Sequence, residues 1–221
     1  MTNNKEVSAE QQIATIGQEM RVANKAFESI GPGISLFGSA RIPRDHPFYK
    51  LGLELGARIA RLGVPVIAGG GPGMMEAANR GAFEAGGRSV GLNIHLPRET
   101  TNNPYQTDSL HFEHFSSRKA TFFEHSLAYV VLPGGFGTLD ELFEAITLIQ
   151  THKHPPVPVI LVGTAFWSGL ISWIRSQPMA HEMIGPSGLE RILVTDDLDE
   201  VIQRVQEAIA AEASQEPALP G

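Results

Sequence analysis

A carboxylate one turn into a helix, reached through a glycine-rich turn, is the arrangement in this sequence best suited to chemistry. The run Leu132-Pro133-Gly134-Gly135-Phe136-Gly137-Thr138-Leu139-Asp140-Glu141 follows the apolar stretch Ala128 to Val131 and opens a helical pattern from Leu142 to Gln150. Three glycines let the backbone approach a ligand closely, and the first N–H groups of a helix lack intrahelical partners. Together they make a phosphate cradle. Thr138-x-x-Glu141 also fits a capping box with Thr138 as N-cap. A capping box needs only one glycine, however, and Gly134, Gly135 and Gly137 together cost conformational entropy. The pattern favours a ligand loop.

A second chemical feature lies upstream. Ser116 or Ser117 can cap a helix running through Leu127, which puts Arg118 and Lys119 in its first turn. A cation there opposes the helix dipole by about 0.3 to 1 kcal/mol. A bound phosphate or a facing carboxylate such as Glu141 offsets that placement, and Arg holds either one bidentately. The alternative is that both side chains point into water.

The elements that position these residues follow from the whole chain of 221 residues, with 42% hydrophobic and 19% charged residues, ordinary for a soluble globular protein. Zero Cys excludes disulfides, thiolate metal sites and a cysteine nucleophile, and suits the cytoplasm. The N-terminus lacks a signal-peptide layout, and no apolar run reaches the roughly 20 residues that span a bilayer. A net charge of -7 offers no broad basic surface for nucleic acid. No membrane or nucleic-acid partner is expected, and any phosphate must be held locally.

Ile13, Ile16, Met20, Ala23 and Phe27 recur at helical spacing between Ser8 and Ile30, which predicts an amphipathic N-terminal extension over 1–30 that packs on the core or on a second subunit. A main domain follows over 31–212, with a frayed tail at 213–221. Within it, strands alternate with helices. Strand Ile34 to Phe37 runs into Gly38-Ser39-Ala40-Arg41; strand Pro65 to Ala68 runs into Gly69-Gly70-Gly71-Pro72-Gly73; strand Tyr129 to Leu132 runs into the central loop. Further strands are predicted at Ser89 to Ile94, Leu110 to Phe112, Val157 to Val162 and Arg191 to Thr195. Helices are predicted at Pro47 to Leu62, from Met74 through Phe83, at Ala165 to Ser176 and at Asp197 to Ala211, while Pro97 to Asp108 reads mainly as a loop.

This rhythm predicts an α/β fold, a doubly wound and mainly parallel Rossmann-like sheet with helices on both faces. In such sheets the strand C-termini share one edge. The three glycine-bearing exits therefore converge on one crevice, where these folds bind ligands.

The ligand class narrows by exclusion. A dinucleotide fingerprint counted from Gly69 would need glycine where Met74 stands, and no Gly-Lys-Ser/Thr run offers a Walker loop. A mononucleotide or sugar phosphate remains. His152-Lys153-His154 and the pair His111 and His114 lack Cys and a flanking carboxylate pattern, so no metal is predicted. Pyridoxal phosphate chemistry would require a Schiff-base lysine, and only Lys119 lies near a motif. No cofactor is predicted.

Pro133-Gly134-Gly135-Phe136-Gly137-Thr138-Leu139-Asp140-Glu141 matches the Pro-Gly-Gly-x-Gly-Thr-x-x-Glu signature of the Lonely Guy (LOG) family, cytokinin riboside 5'-monophosphate phosphoribohydrolases often mislabelled lysine decarboxylases. Ser117-Arg118-Lys119 resembles the family's Arg-Lys motif, and Gly69-Gly70-Gly71-Pro72-Gly73-Met74-Met75 resembles its first glycine-rich turn. The resemblance runs from Gly33 to about Trp173. It departs at Gly73-Met74-Met75-Glu76, where plant-like members carry Gly-Leu-Met-Gly, and at the two serines before Arg118.

The resemblance implies hydrolysis of the N-glycosidic bond of AMP or an N6-substituted, cytokinin-type AMP, with Glu141 and Arg118 as catalytic residues. Glu141 would stabilise positive charge developing on the sugar and activate water; Arg118 would orient that carboxylate and the ribose. Gly134, Gly135, Gly137 and Thr138 would carry the 5'-phosphate. Gly70, Gly71, Gly73 and Ser39 belong to the converging exits, and Lys119, Glu99 and Thr147 correspond to family substrate-contacting positions. The family also implies a homodimer at least. Two other readings use the same fold: a non-catalytic nucleotide or molybdenum-cofactor carrier or sensor, and ribosyl transfer to another base. A carrier needs the glycine cradle but no carboxylate beneath the sugar.

Overall fold

The computed structural model describes residues 8–96 and 102–214. Its centre is a seven-stranded sheet of β1 (Gly33–Phe37), β2 (Val66–Ala68), β3 (Ser89–Ile94), β4 (Asp108–Phe112), β5 (Ser126–Val131), β6 (Val159–Val162) and β7 (Ile192–Thr195). The spatial order is β4-β3-β2-β1-β5-β6-β7, and every neighbouring pair is parallel. Parallel strands covered on both faces read as continuous apolar runs, and β1, β2, β5 and β6 are buried along their whole length. From β1 the chain winds outward to β4, then returns to lay β5 on the other side of β1. The order thus reverses between β1 and β5, which opens a crevice beyond their C-terminal ends.

Alternation along the strands sends side chains to two cores. Ile34, Leu36, Val66, Val130 and Ile160 meet α2 (Pro47–Ala60), α3 (Met74–Glu84) and α7 (Leu198–Ala213). On the opposite face, Phe37, Ile67, Tyr129, Val131 and Leu161 meet α1 (Ala9–Ile30), α4 (Phe115–Glu124), α5 (Phe136–Gln150) and α6 (Thr164–Ile174). Helices therefore cover both faces, as expected. No helix of the described residues is long and apolar enough to cross a membrane.

Helix starts differ from the sequence expectation in informative ways. Ser8 caps α1 and Gln11 closes a capping box, but only Ala23, Phe27 and Ile30 of that helix are buried, and Ile13 is exposed. α5 begins at Phe136 with Gly135 as N-cap, so Thr138 lies inside the helix rather than capping it. The glycine loop is itself the helix start. α4 begins at Phe115 with His114 as N-cap, not Ser116 or Ser117, and the Ser117 hydroxyl lies 3.0 Å from the His114 carbonyl. β5 starts earlier than expected because its buried Ser126 hydroxyl is satisfied by the Phe122 carbonyl at 2.6 Å.

Candidate active site

The three exits do converge. A cleft of about 600 Å³ opens at the C-terminal ends of β1, β2 and β5 and is lined by Ser39 and Arg41 after β1, Gly69 and Gly71 after β2, Arg118 of α4, and Gly135, Gly137, Thr138 and Glu141 of α5. Two exits are tied directly together, since Met74 N–H donates to the Ser39 carbonyl at 2.9 Å. Gly73, at the N-cap of α3, has φ 65°, and a Cβ there would overlap the Ser39 and Ala40 backbone. Only glycine permits that approach.

Glu141 faces the cleft with its side chain 16% exposed. Burial pushes its carboxyl up to about 7; the Arg118 guanidinium works against that rise and the neighbouring Asp140 adds to it. The carboxyl is thus poised between its two protonation states near neutral pH, as a general base requires. Arg118 Nη1 stands 3.8 Å from Glu141 Oε1. The same guanidinium is buried and donates from Nε to the Leu92 carbonyl at 2.7 Å and from Nη2 to the Gly69 carbonyl at 3.2 Å. Its charge near the start of α4 is therefore offset by carbonyls of β3 and of the β2 exit together with the Glu141 carboxyl.

Around this pair, Gly135, Phe136 and Gly137 supply the open start of α5, and Gly135 makes no side-chain cap. These residues line the cleft, and the first N–H groups of the helix have no capping side chain, which is the condition an anion site needs. Gly134 supports them from behind, where a Cβ would overlap the buried Thr138 side chain. Gly70 works from below the cleft: its carbonyl accepts from Asn103 N–H at 2.8 Å and Gln106 Nε2 at 3.0 Å.

Gly70, Gly73 and Gly134, expected at the ligand, are not among the cleft-lining residues, and two side chains expected there are turned elsewhere. Lys119 is turned away to pair with Asp140 at 3.0 Å and Glu144 at 2.5 Å, so it ties α4 to α5 and is not among the cleft-lining residues. These carboxylates hold its ammonium above the usual range against burial, which pulls it down. Thr147 sits on the outer face of α5, where its hydroxyl donates to the Phe143 carbonyl at 2.7 Å. Helical period explains this, because Thr147 lies near the face of Asp140, Phe143 and Glu144 rather than that of Glu141. Glu99 falls outside the described residues.

Other residues enter the cleft without having been singled out. Arg41 is exposed there, with no side-chain hydrogen bond or ion pair among the described residues; the signal was available, a cation directly after the first strand exit. Asn102 also lines it. Its backbone is fixed by buried Asn103, which donates to the Gly71 carbonyl at 3.0 Å and to Asn79 Oδ1 at 2.9 Å, a tertiary arrangement that spacing cannot reveal. Phe115 gives the cleft an apolar side together with Met75, which the sequence suggests as a core or pocket-wall residue. Glu76, the departure from Gly-Leu-Met-Gly, is buried and accepts from Arg44 Nε and Tyr49 Oη, both at 2.7 Å. It pins the segment after Arg41 to α3, and these partners outweigh burial to keep its carboxyl below the ordinary range. No group of three or more His, Asp or Glu residues among those described is arranged to hold a metal ion.

Comparison with known proteins places the chain in a family. The family described as "Possible lysine decarboxylase" matches residues 75–205. A cytokinin riboside 5'-monophosphate phosphoribohydrolase of Mycobacterium tuberculosis is 32% identical over 74% of this chain and 88% of its own length, and one of Arabidopsis thaliana is 27% identical over 71% and 74%. Among solved structures, the molybdenum cofactor carrier protein of Chlamydomonas reinhardtii superposes with a TM-score of 0.58 at 25% identity, over 81% of this chain and 99% of the other. On the family match and on this similarity across most of the chain, the protein belongs to the LOG family, whose sequence signature carries the lysine decarboxylase label.

Proposed function

We propose that this protein hydrolyses the N-glycosidic bond of a nucleoside 5'-monophosphate, AMP or an N6-substituted AMP, to free base and ribose 5-phosphate. The observation that carries the reading is the Glu141 carboxyl, buried, raised to about 7 and 3.8 Å from Arg118, beside an uncapped glycine-rich helix start in one cleft. The helix start takes the 5'-phosphate and places the ribose over Glu141. As the bond from C1' to the base nitrogen breaks, its electron pair leaves with the base and positive charge grows on the sugar ring, which the carboxylate stabilises. Water adds its oxygen to C1', Glu141 accepts the water proton, and that proton is then passed on, directly or by way of solvent, to the base nitrogen, which regenerates the carboxylate. Arg118 keeps a fraction of Glu141 ionised and fixes its direction. The molybdenum cofactor carrier neighbours use the same fold, but transport gives no role to a carboxylate poised in this way. Base release from AMP and from isopentenyl-AMP by the purified protein tests the reading. Tight nucleotide binding without release from either substrate would sink it in favour of a carrier.

Arg41 supplies the charge that backbone N–H groups lack. Arg41→Ala is expected to raise KM for AMP by about 10-fold, equivalent to about 1.4 kcal/mol of a charge-assisted contact, while adenosine, which has no phosphate, binds no worse. Steady-state kinetics and calorimetry check both halves. An equal loss for adenosine would assign Arg41 elsewhere.

The assembly is proposed to be at least a homodimer built on the outer face of α5. Phe136 is 92% exposed and Phe143 is partly exposed, and with Leu139 and Leu148 they line a shallow apolar surface. Phe136→Asp is expected to shift the protein to monomer in sedimentation velocity. An unchanged sedimentation coefficient would move the interface off this face.

A further inference from the structure

The structure assigns Glu19, on α1, the role of a positioning residue for the catalytic pair: by closing the N-terminus of α4 it holds Arg118 against Glu141. This inference rests on Arg118 and Glu141 being the working pair.

The start of α4 has no cap of its own, because the His114 side chain makes no capping hydrogen bond. Glu19 instead ties the entry to that turn from another helix. Its Oε1 accepts Glu113 N–H at 2.8 Å and its Oε2 accepts the Ser117 hydroxyl, while His114 Nδ1 lies 3.5 Å from Oε1. The Glu19 side chain is only 9% exposed. A negative charge at this end of α4 also complements the helix dipole. Burial raises the Glu19 carboxyl, but the Ser117 hydroxyl, the Glu113 N–H and His114 outweigh it and keep it below the ordinary range. It therefore serves as an anion.

α1 also grips the far end of α4. Asn24 Nδ2 donates to Glu124 at 3.2 Å, Asn24 Oδ1 lies 3.2 Å from His125 Nε2, and Phe27 stacks on the His125 ring at 3.9 Å. The helix bearing Arg118 is thus splinted at both ends by a segment that lies before the family match at residues 75–205. Ser117, which Glu19 holds, directly precedes Arg118. The guanidinium contact to Glu141, at 3.8 Å, is longer than those to the Leu92 and Gly69 carbonyls, so it is the one held least firmly when α4 slips, and the attraction weakens as the separation grows. Misplacements of about 1 Å cost about 100-fold in rate in such sites.

The test uses the full chain with carbon-labelled glutamate side chains, the Glu141 resonance being assigned by its loss in Glu141→Gln. The charged groups around Glu141 are Arg118 and Lys119 on α4 and Asp140 and Glu144 on α5. Loosening α4 draws both cations away and leaves both anions, so the Glu141 midpoint must rise. In Glu19→Ala it is expected to rise by about half a pH unit or more, with kcat for base release down about 10-fold or more and KM little changed. Ser117→Ala should move both readouts in the same direction and by less. Glu19→Gln, which keeps an acceptor for Glu113 N–H, should restore most of both. A folded Glu19→Ala with the wild-type midpoint overturns the assignment. Should that variant fail to fold, an unchanged midpoint in Ser117→Ala overturns it equally. Absence of base release by the wild type would refute the glycosidase reading, while the titration still decides the role of Glu19.

Discussion

Replacing Glu141 with Gln is expected to cut base release from AMP by about 1,000-fold or more while nucleotide binding persists. The amide keeps the size of the side chain but neither accepts the water proton nor carries charge to stabilise the sugar cation, and removal of such a group costs several kcal/mol of transition-state stabilisation. The phosphate cradle proposed at Gly135 to Thr138 does not depend on the carboxylate, so KM is expected to change little. The same substitution carries a signature in stability. The folded-state pKa of about 7 lies above the ordinary 4.5. The native protein therefore binds this proton more tightly than the unfolded chain, and its stability falls as pH rises from about 4.5 through 7. The full difference is on the order of 3 kcal/mol above pH 7, an upper figure given the part of the side chain that meets solvent. Glu141→Gln should escape that loss. It is expected to unfold several degrees higher than the wild type at pH 8 and at nearly the same temperature at pH 4. Paired calorimetric scans at the two pH values check this; a variant less stable at pH 8 would contradict the burial argument.

Arg118→Ala is expected to remove about 100-fold or more of the turnover and, unlike Glu141→Gln, to destabilise the protein by about 2 to 4 kcal/mol. The loss has two separable parts. The Leu92 and Gly69 carbonyls lose a buried donor, which is a folding cost. Glu141 loses its strongest opposing cation, so its pKa climbs further above 7 and less carboxylate is present at neutral pH. The second part is recoverable: the alkaline-rising limb of the pH–rate profile should move upward, and activity at pH 9 should lie closer to wild type than at pH 7. Arg118→Lys retains the charge but not the planar fork that reaches two carbonyls and a carboxyl together. It should restore the position of the limb better than it restores stability. A profile that merely scales down, with no displacement, would show that Arg118 acts on the substrate alone.

The parts of the site written within single stretches of chain were legible beforehand. Strand, glycine turn and helix recur at β1, β2 and β5, and this local grammar was enough to infer the shared crevice, which Glu141 and Arg118 both line; the roles given to that pair came from the family resemblance. What escaped depends on contacts made across the fold. Lys119 looks like a ligand-binding neighbour of Arg118 in sequence, yet the facing Asp140 and Glu144 of α5 capture it. Thr147 shares a helix with Glu141 but occupies another face of it. The start of α4 lies at Phe115, where Glu19 holds the Ser117 hydroxyl and the preceding Glu113 N–H, and Ser117 lies 98 residues further along than Glu19. A tether from a distant helix leaves no trace in a local pattern. Glu76 was noted only as a departure from its family; its reason lies in Arg44 and Tyr49.

The placement of β1 in the middle of the sheet bears on how the chain is made. β1 pairs with β2 on one side and with β5 on the other, and the buried hydroxyls of Ser35 and Ser126, 2.6 Å apart, join residues 91 positions apart in sequence. During synthesis from the N-terminus, β1 to β4 and their helices emerge first and can pair among themselves, while the second edge of β1, with Ile34 to Phe37, waits for β5. An apolar strand edge left open over that interval is a template for wrong pairing, with another nascent copy among the candidates. The seam that closes it is the β1–β5 joint above which the cleft lies. The joint that brings the two sides of the cleft together therefore waits until β5 has been made, with β6 and β7 still to be added beyond it, and a half-translated chain has neither Arg118 nor Glu141 to work with.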